Sequence, residues 1–138
     1  ERGRLERAAG DLGLRDRVDF VGAVDHDTLP ELMQGFSVLL NTSRSESFGV
    51  VLLEAGACAL PVVATRVGGV SEVVDDGATG ILVPVGDAAA AAAALVRLAR
   101  DPDEARSMGE AGRARVAEHF RWSECVDAML RALEEARR

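Results

Sequence analysis

Residues 37–65 read SVLLNTSRSESFGVVLLEAGACALPVVAT, and this stretch decides the fold. Two short runs rich in Val and Leu, 37–42 and 61–65, enclose a polar loop and an apolar segment, 48–59, of helical length. Parallel strands need a crossover, and a helix supplies it. Strand, loop, helix, strand is therefore one step of a parallel sheet with right-handed connections. The second run is unbroken by charge, as expected of a strand covered on both faces.

The same alternation extends in both directions. Upstream, Leu5, Ala8, Ala9 and Leu12 recur at helical spacing over 2–13 and stop at Gly13. Val18, Asp19, Phe20 and Val21 alternate into Gly22 and predict another strand. Asp27 or Thr28 caps a helix carrying Leu29, Leu32, Met33 and Phe36, with Pro30 in its first turn. Downstream, Gly68-Gly69 opens a short helix over 70–74, and the turns Asp76-Gly77 and Thr79-Gly80 lead to a fourth strand at 81–83. Beyond Asp87 the chain reads as helix, broken at Asp101-Pro102 and near Arg121-Trp122. The seven alanines at 88–94 belong to that helix, since alanine is the best helix former. The fold class is α/β: a Rossmann-like parallel sheet of four strands flanked by helices. Ligands of such sheets bind beyond the carboxyl ends of the strands, here the loops at 22–28, 43–48, 66–70 and 84–87.

A length of 138 residues suits one domain, or one half of a larger enzyme. The chain starts at Glu1 inside a helix and reads as a piece of something longer. All sixteen basic residues are Arg, which excludes P-loop and Schiff-base lysine chemistry. Twenty-three carboxylates give a net charge of −7. That field opposes nucleic acids and anionic membranes, so a phosphate ligand needs local donors. Cys58 and Cys125 belong to no CxxC and read as two reduced, buried thiols of a cytoplasmic protein. No secretory signal or apolar run of ~18 residues occurs. Among the fourteen glycines there is no Gly-x-Gly, which removes the dinucleotide fingerprint. Ser47 lies in no Gly-x-Ser-x-Gly elbow, and His26 and His119 read as solvent-facing or helix-end residues.

Two features of the loops carry chemistry. Glu54 is the only charge between 48 and 65, inside an apolar helix. An isolated buried carboxylate there would cost several kcal/mol or take up a proton. Either it pairs with an Arg from a neighbouring element, or this helix edge faces a ligand and Glu54 accepts hydrogen bonds from its hydroxyls. Glu46 lies eight residues earlier. With the helix starting near Phe48, Glu54 is ~9 Å along its axis, too far for the two carboxylates to share a proton or metal. Between them, the N–H groups of Ser47, Phe48 and Gly49 form a helix N-terminus suited to an anion. Carboxylate, anion site, carboxylate is the order that sugar hydroxyls, diphosphate and ribose hydroxyls would answer. Gly68-Gly69 is either a second helix start with open amides or a tight turn that needs glycine.

Residues 45–55 (SESFGVVLLEA), followed by Cys58 to Thr65, Gly68-Gly69, Glu72, Gly77 and Gly80, resemble the C-terminal donor-binding domain of retaining GT-B glycosyltransferases of family 4, group 1. Glu46 and Glu54 match its Glu-x7-Glu signature. The resemblance implies a nucleotide-diphosphate-sugar donor, UDP or GDP, transfer with retention, and no metal or other cofactor. It implies that Glu46 holds donor sugar hydroxyls as the catalytic-side carboxylate and that the amides of Phe48 and Gly49 contact sugar or diphosphate. Glu54 would bind the ribose, and the backbone near Gly22 would approach the base. Ser47, Val50 and Arg44 complete the substrate-binding set. The family's diphosphate-binding Arg and Lys come from an earlier part of the domain, so a basic clamp for the diphosphate is either Arg44 or Arg66 within this chain or lies upstream of Glu1. Residues 1–120 would be the truncated nucleotide-sugar-binding domain, and 121–138 a helix packing back toward an N-terminal domain. The glucosaminyltransferases of low-molecular-weight thiol biosynthesis share Glu-Ser-Phe-Gly. Ala59 departs from the family, which usually has Gly there. The isolated chain is expected to be inactive. The alternatives are a sugar-nucleotide sensor without chemistry, and an interaction module docking through Val126, Met129, Leu130 and Leu133.

Overall fold

The computed structural model describes residues 1–135, apart from the side chains of Cys125 and Ala128. The expectation of a buried thiol at Cys125 lies outside the described residues. In chain order the elements are α1 (Arg2–Asp11), a 3-10 turn (Arg15–Arg17), α2 (Leu29–Gln34), β1 (Leu39–Asn41), α3 (Val50–Ala57), β2 (Val62–Thr65) and α4 (Val70–Val73). They continue with β3 (Gly80–Val83), α5 (Ala88–Arg100), α6 (Pro102–His119) and α7 (Trp122–Glu135). The three strands form one parallel sheet, ordered β1-β2-β3, with Leu39 opposite Val62 and Val62 opposite Gly80. α3 is the crossover from β1 to β2, and α4 the crossover from β2 to β3.

Every residue of β2 is buried, because helices cover both faces of the sheet. Val62 and Ala64 pack with Met33 of α2, Leu52 and Ala55 of α3, and Val70 and Val73 of α4. Val63 packs in a second cluster with Ala91, Ala94 and Leu98 of α5 and Met108 of α6. The alanine run thus serves as a thin face that brings α5 close to the sheet. Both long helices start where the aspartates predict: Asp87 accepts the Ala90 N–H at 2.8 Å, and Asp101 accepts the Glu104 N–H at 2.9 Å.

The expected strand at residues 18–21 does not form. Val18 is extended, with φ −129° and ψ 114°, but the segment pairs with no strand among the described residues. It packs on α1 instead: the Arg2 guanidinium sits 5.9 Å from the Phe20 ring centroid, and Val18 and Phe20 line a hollow with Glu6, Ala9 and Arg15. Alternation reports a half-covered face, whereas a strand requires a hydrogen-bonded neighbour. Among the described residues no neighbour reaches this one.

Two helix boundaries also differ from expectation. The first helix ends at Asp11, with Gly13 as its left-handed stop at φ 68°. α3 begins at Val50 rather than 48, because Gly49 has φ 91°, and ends at Ala57 rather than 59. Its end is a Schellman closure: the Leu60 N–H donates to Ala55 O at 2.9 Å and the Ala59 N–H to Gly56 O at 2.8 Å. That closure puts Ala59 in the left-handed region at φ 56°. Gly109 of α6 then closes against the Ala59 carbonyl with no space for a Cβ. A left-handed alanine stores about 1 kcal/mol. Ala59→Gly is therefore expected to raise the urea midpoint by that stability; an unchanged or lower midpoint contradicts the strain.

The entry to β3 is held by Asp76. Its carboxylate accepts the Leu82 N–H at 2.8 Å and pairs with Arg66. The Leu82 N–H, and then the Arg66 guanidinium, hold the Asp76 carboxyl below the ordinary carboxylate range, against the opposing effect of burial. A folded value below the unfolded one means the contribution is fully present above about pH 4 and is lost as pH falls through the folded value. Stability measured by circular dichroism is expected to fall less steeply below about pH 4 in Asp76→Asn than in wild type. Identical acid limbs would remove Asp76 from the account.

Candidate functional site

The site is built at the carboxyl ends of β1 and β2. Past β1, the Asn41 carboxamide oxygen accepts the Ser43 N–H at 2.9 Å, and the Thr65 hydroxyl at the end of β2 donates to the Ser43 carbonyl. The loop is thereby tied to the neighbouring strand before it reaches Glu46.

At Glu46 the loop meets the segment that follows β2, backbone on backbone. The Gly69 N–H donates to the Glu46 carbonyl at 3.3 Å. A Cβ on Gly68 would run into that carbonyl oxygen, and a Cβ on Gly69 would lie 2.5 Å from Ser47 O. The glycine pair is thus a requirement of close approach. Since the Gly69 amide is engaged, the reading of this turn as a second open anion site is corrected. α4 itself is a single turn of four residues.

The N–H groups of Ser47, Phe48 and Gly49 have no protein acceptor among the described residues. They precede α3 rather than belong to it, because Gly49 is its N-cap. Their donors and the open donors of the first helical turn lie in one continuous run, where the helix dipole favours negative charge. The Phe48 ring meets Phe120 edge to face, centroids 6.0 Å apart at 65°. Val50, the first residue of α3, is exposed.

Glu54 sits one turn into α3, ~6 Å along the axis from Val50 rather than the ~9 Å expected from a helix starting at 48. Its side chain is 25% exposed, so the carboxylate on this apolar helix lies at an edge and escapes full desolvation. Its partner is not an Arg: Glu54 Oε1 lies 3.4 Å from Nδ1 of His26. The two residues share a cavity of about 360 Å³ with Leu29, Pro30 and Met33. Cys58, at the same cavity, is half-buried rather than buried. His26 is solvent-facing as expected, its side chain 84% exposed. What sequence reasoning passed over is its nearness to Glu54, for which its place in the 22–28 loop was the available signal. His119 ends α6, as a helix-end residue.

Gly22 precedes His26 in the same exposed loop, with φ 83°, and its nearest neighbour across space is Arg2. Of the two expected cations, Arg66 is committed to Asp76. Arg44 is exposed and lines a cavity of about 270 Å³ with Thr42, Thr65 and Asp87 beyond the strand ends. Among the described residues no group of three or more His, Cys, Asp or Glu is arranged to hold a metal ion, and no helix is long and apolar enough to cross a membrane.

The fold has counterparts in known proteins. Residues 1–115 match the family described as glycosyl transferases group 1. The chain is 44% identical over 115 residues to the N-acetyl-alpha-D-glucosaminyl L-malate synthase of Bacillus anthracis, covering 83% of this chain and 30% of that protein. Sucrose-phosphate synthase from Thermosynechococcus elongatus superposes with a TM-score of 0.89 at 40% identity, over 98% of this chain and 35% of that one. HepE of Anabaena, solved in complex with UDP, superposes with a TM-score of 0.90 at 28% identity, over 96% of this chain and 36% of that one. The chain thus spans about a third of the length of these proteins. By its sheet, its flanking helices and the match over residues 1–115, the chain belongs to the group 1 glycosyl transferases, with the architecture of a GT-B C-terminal domain.

Proposed function

We propose that this chain is the donor-binding part of a retaining family 4 glycosyltransferase, which moves a sugar from a nucleotide-diphosphate-sugar to an acceptor hydroxyl. The carrying observation is the order along 46–54: a carboxylate, three amides without protein acceptors, and a half-buried carboxylate, with the Glu46 backbone pinned by the Gly69 N–H. In this reading Glu46 holds the hydroxyls of the donor sugar beside the reacting carbon. The N–H groups of Ser47, Phe48 and Gly49, with Val50 opening the helix behind them, meet the charge that grows on the departing diphosphate. Fixed donors of this kind need no reorganisation as the bond breaks, which is where electrostatic catalysis gains most. Arg44 adds a cation from the same loop, and no metal takes part. Glu54 accepts hydrogen bonds from the ribose, and the backbone near Gly22 approaches the base.

Of the two donors proposed, a uridine or a guanosine diphosphate sugar, the likeness to HepE, solved with UDP and with UDP-glucose, favours the uridine one. The 44% identity to the Bacillus anthracis glucosaminyl L-malate synthase favours a glucosamine-type sugar. A cytoplasmic enzyme, with its acceptor bound by residues outside this chain, completes the reading.

In the full-length protein, Glu46→Gln is expected to lower kcat, and Glu54→Gln to raise donor KM, each by about tenfold or more. Wild-type kinetics in both variants would overturn the assignment. In a thermal-shift screen of UDP, GDP and ADP on the full-length protein, UDP or GDP is expected to stabilise by about 2.7 kcal/mol at a hundredfold excess over Kd. Stabilisation by ADP alone would redirect the donor. Retention is read from the anomeric configuration of the first product by NMR; an inverted product would contradict it.

A further inference from the structure

The C-terminal end of α6 reaches the site loop by two routes. Along the first, Arg115 donates from Nε to the Val73 carbonyl at 2.9 Å and from Nη2 to the Glu72 carbonyl at 2.8 Å. These are carbonyls at the end of α4, which a one-turn helix leaves without internal partners. A single turn is also too short to hold itself. α4 starts directly after Gly69, and Gly69 pins Glu46. Along the second route, Phe120 meets Phe48, two residues beyond Glu46, edge to face. The routes are joined at their origin, because the Arg115 guanidinium carbon lies 5.9 Å from the centroid of the Phe120 ring.

We propose that Arg115 and Phe120 are positioning residues for the donor loop: together they fix where Glu46 and the 47–49 amides stand, without touching the ligand themselves. The proposal rests on the donor-binding reading of Glu46 given above. The chemistry of each residue suits the task. A planar guanidinium offers two carbonyls a rigid fork of donors and still presents a flat face to an aromatic ring, whereas an ammonium has neither the fixed fork nor the face. A cation at a helix C-terminus also opposes its dipole. Phe120 adds a directional contact, since an edge-to-face pair resists sliding in a way that aliphatic packing does not. A loop whose carboxylate must stand within a fraction of an ångström of its place needs restraint from both sides.

The test is made in the full-length protein with Arg115→Lys, Arg115→Ala, Phe120→Leu and Phe120→Tyr, alongside Glu46→Gln. A residue that only stabilises the fold lowers the melting temperature and the active fraction but leaves KM unchanged. A positioning residue shifts the donor parameters of the folded fraction. Arg115→Ala and Phe120→Leu are expected to raise donor KM or UDP Kd about tenfold with acceptor KM unchanged, Arg115→Lys to fall between, and Phe120→Tyr, which keeps the ring, to stay near wild type. If Arg115→Ala does not fold, Arg115→Lys and Phe120→Leu carry the comparison. Unchanged donor KM and UDP Kd in those variants, with Glu46→Gln still impaired, would overturn the positioning role and leave the donor site standing. An unimpaired Glu46→Gln would instead remove the reading on which the proposal rests.

Discussion

The contact between Gly68-Gly69 and the backbone of residues 46–48 is the constraint around which the rest of the molecule is arranged. Two loops from adjacent strand ends lie against each other without side chains between them, joined by the Gly69 N–H and the Glu46 carbonyl. Close packing of this kind leaves no intermediate position: the loops are seated or the contact is lost. The buried side chains of Val70 and Val73 anchor the α4 side, and Leu52 of α3 anchors the other. The 46–48 loop therefore inherits its position from the core directly beneath it.

The same economy of side chains recurs where α6 meets α3. Gly109 closes on the Ala59 carbonyl, and Gly56 faces Val116 with almost no gap. Helices that approach this closely trade side-chain burial for backbone contact, and the loss of one methyl's worth of space is felt at once. The result is that α3 has little freedom to rotate. That keeps Glu54 at the edge, beside His26, and out of the apolar interior that the flanking valines and leucines would otherwise share with it.

The elements legible in the sequence were those whose signal is local. Asp87 and Asp101 marked helix starts, Gly13 marked a helix stop, and the unbroken Pro61 to Thr65 run marked the doubly covered strand. Glu54 stood out because a charge in an apolar stretch demands a reason, and Glu46 by its place eight residues earlier in the loop before that helix. Residues 18–21 misled because their alternation is genuine while, among the described residues, no hydrogen-bonding neighbour pairs with them to make a strand. The start of α3 was misplaced for a similar reason: nothing local says that Gly49 takes φ 91°. The partner of Glu54, the engagement of the Gly69 amide and the link from Arg115 to α4 are tertiary facts. No spacing encodes them, because each joins segments far apart in the chain.

The fold also has an order in time. Synthesis runs from the N-terminus, and domains fold as their chain is completed. Glu46 and Phe48 leave the ribosome well before Phe120, whose ring meets Phe48, and before Arg115, which closes the end of α4. Until the end of α6 has been made, the sheet can assemble but the 46–48 loop lacks one of its two walls. A nascent chain halted within α6 would hold a nearly finished core beneath an unseated loop, so a segment synthesised well after the 46–48 loop is what completes that loop's second wall.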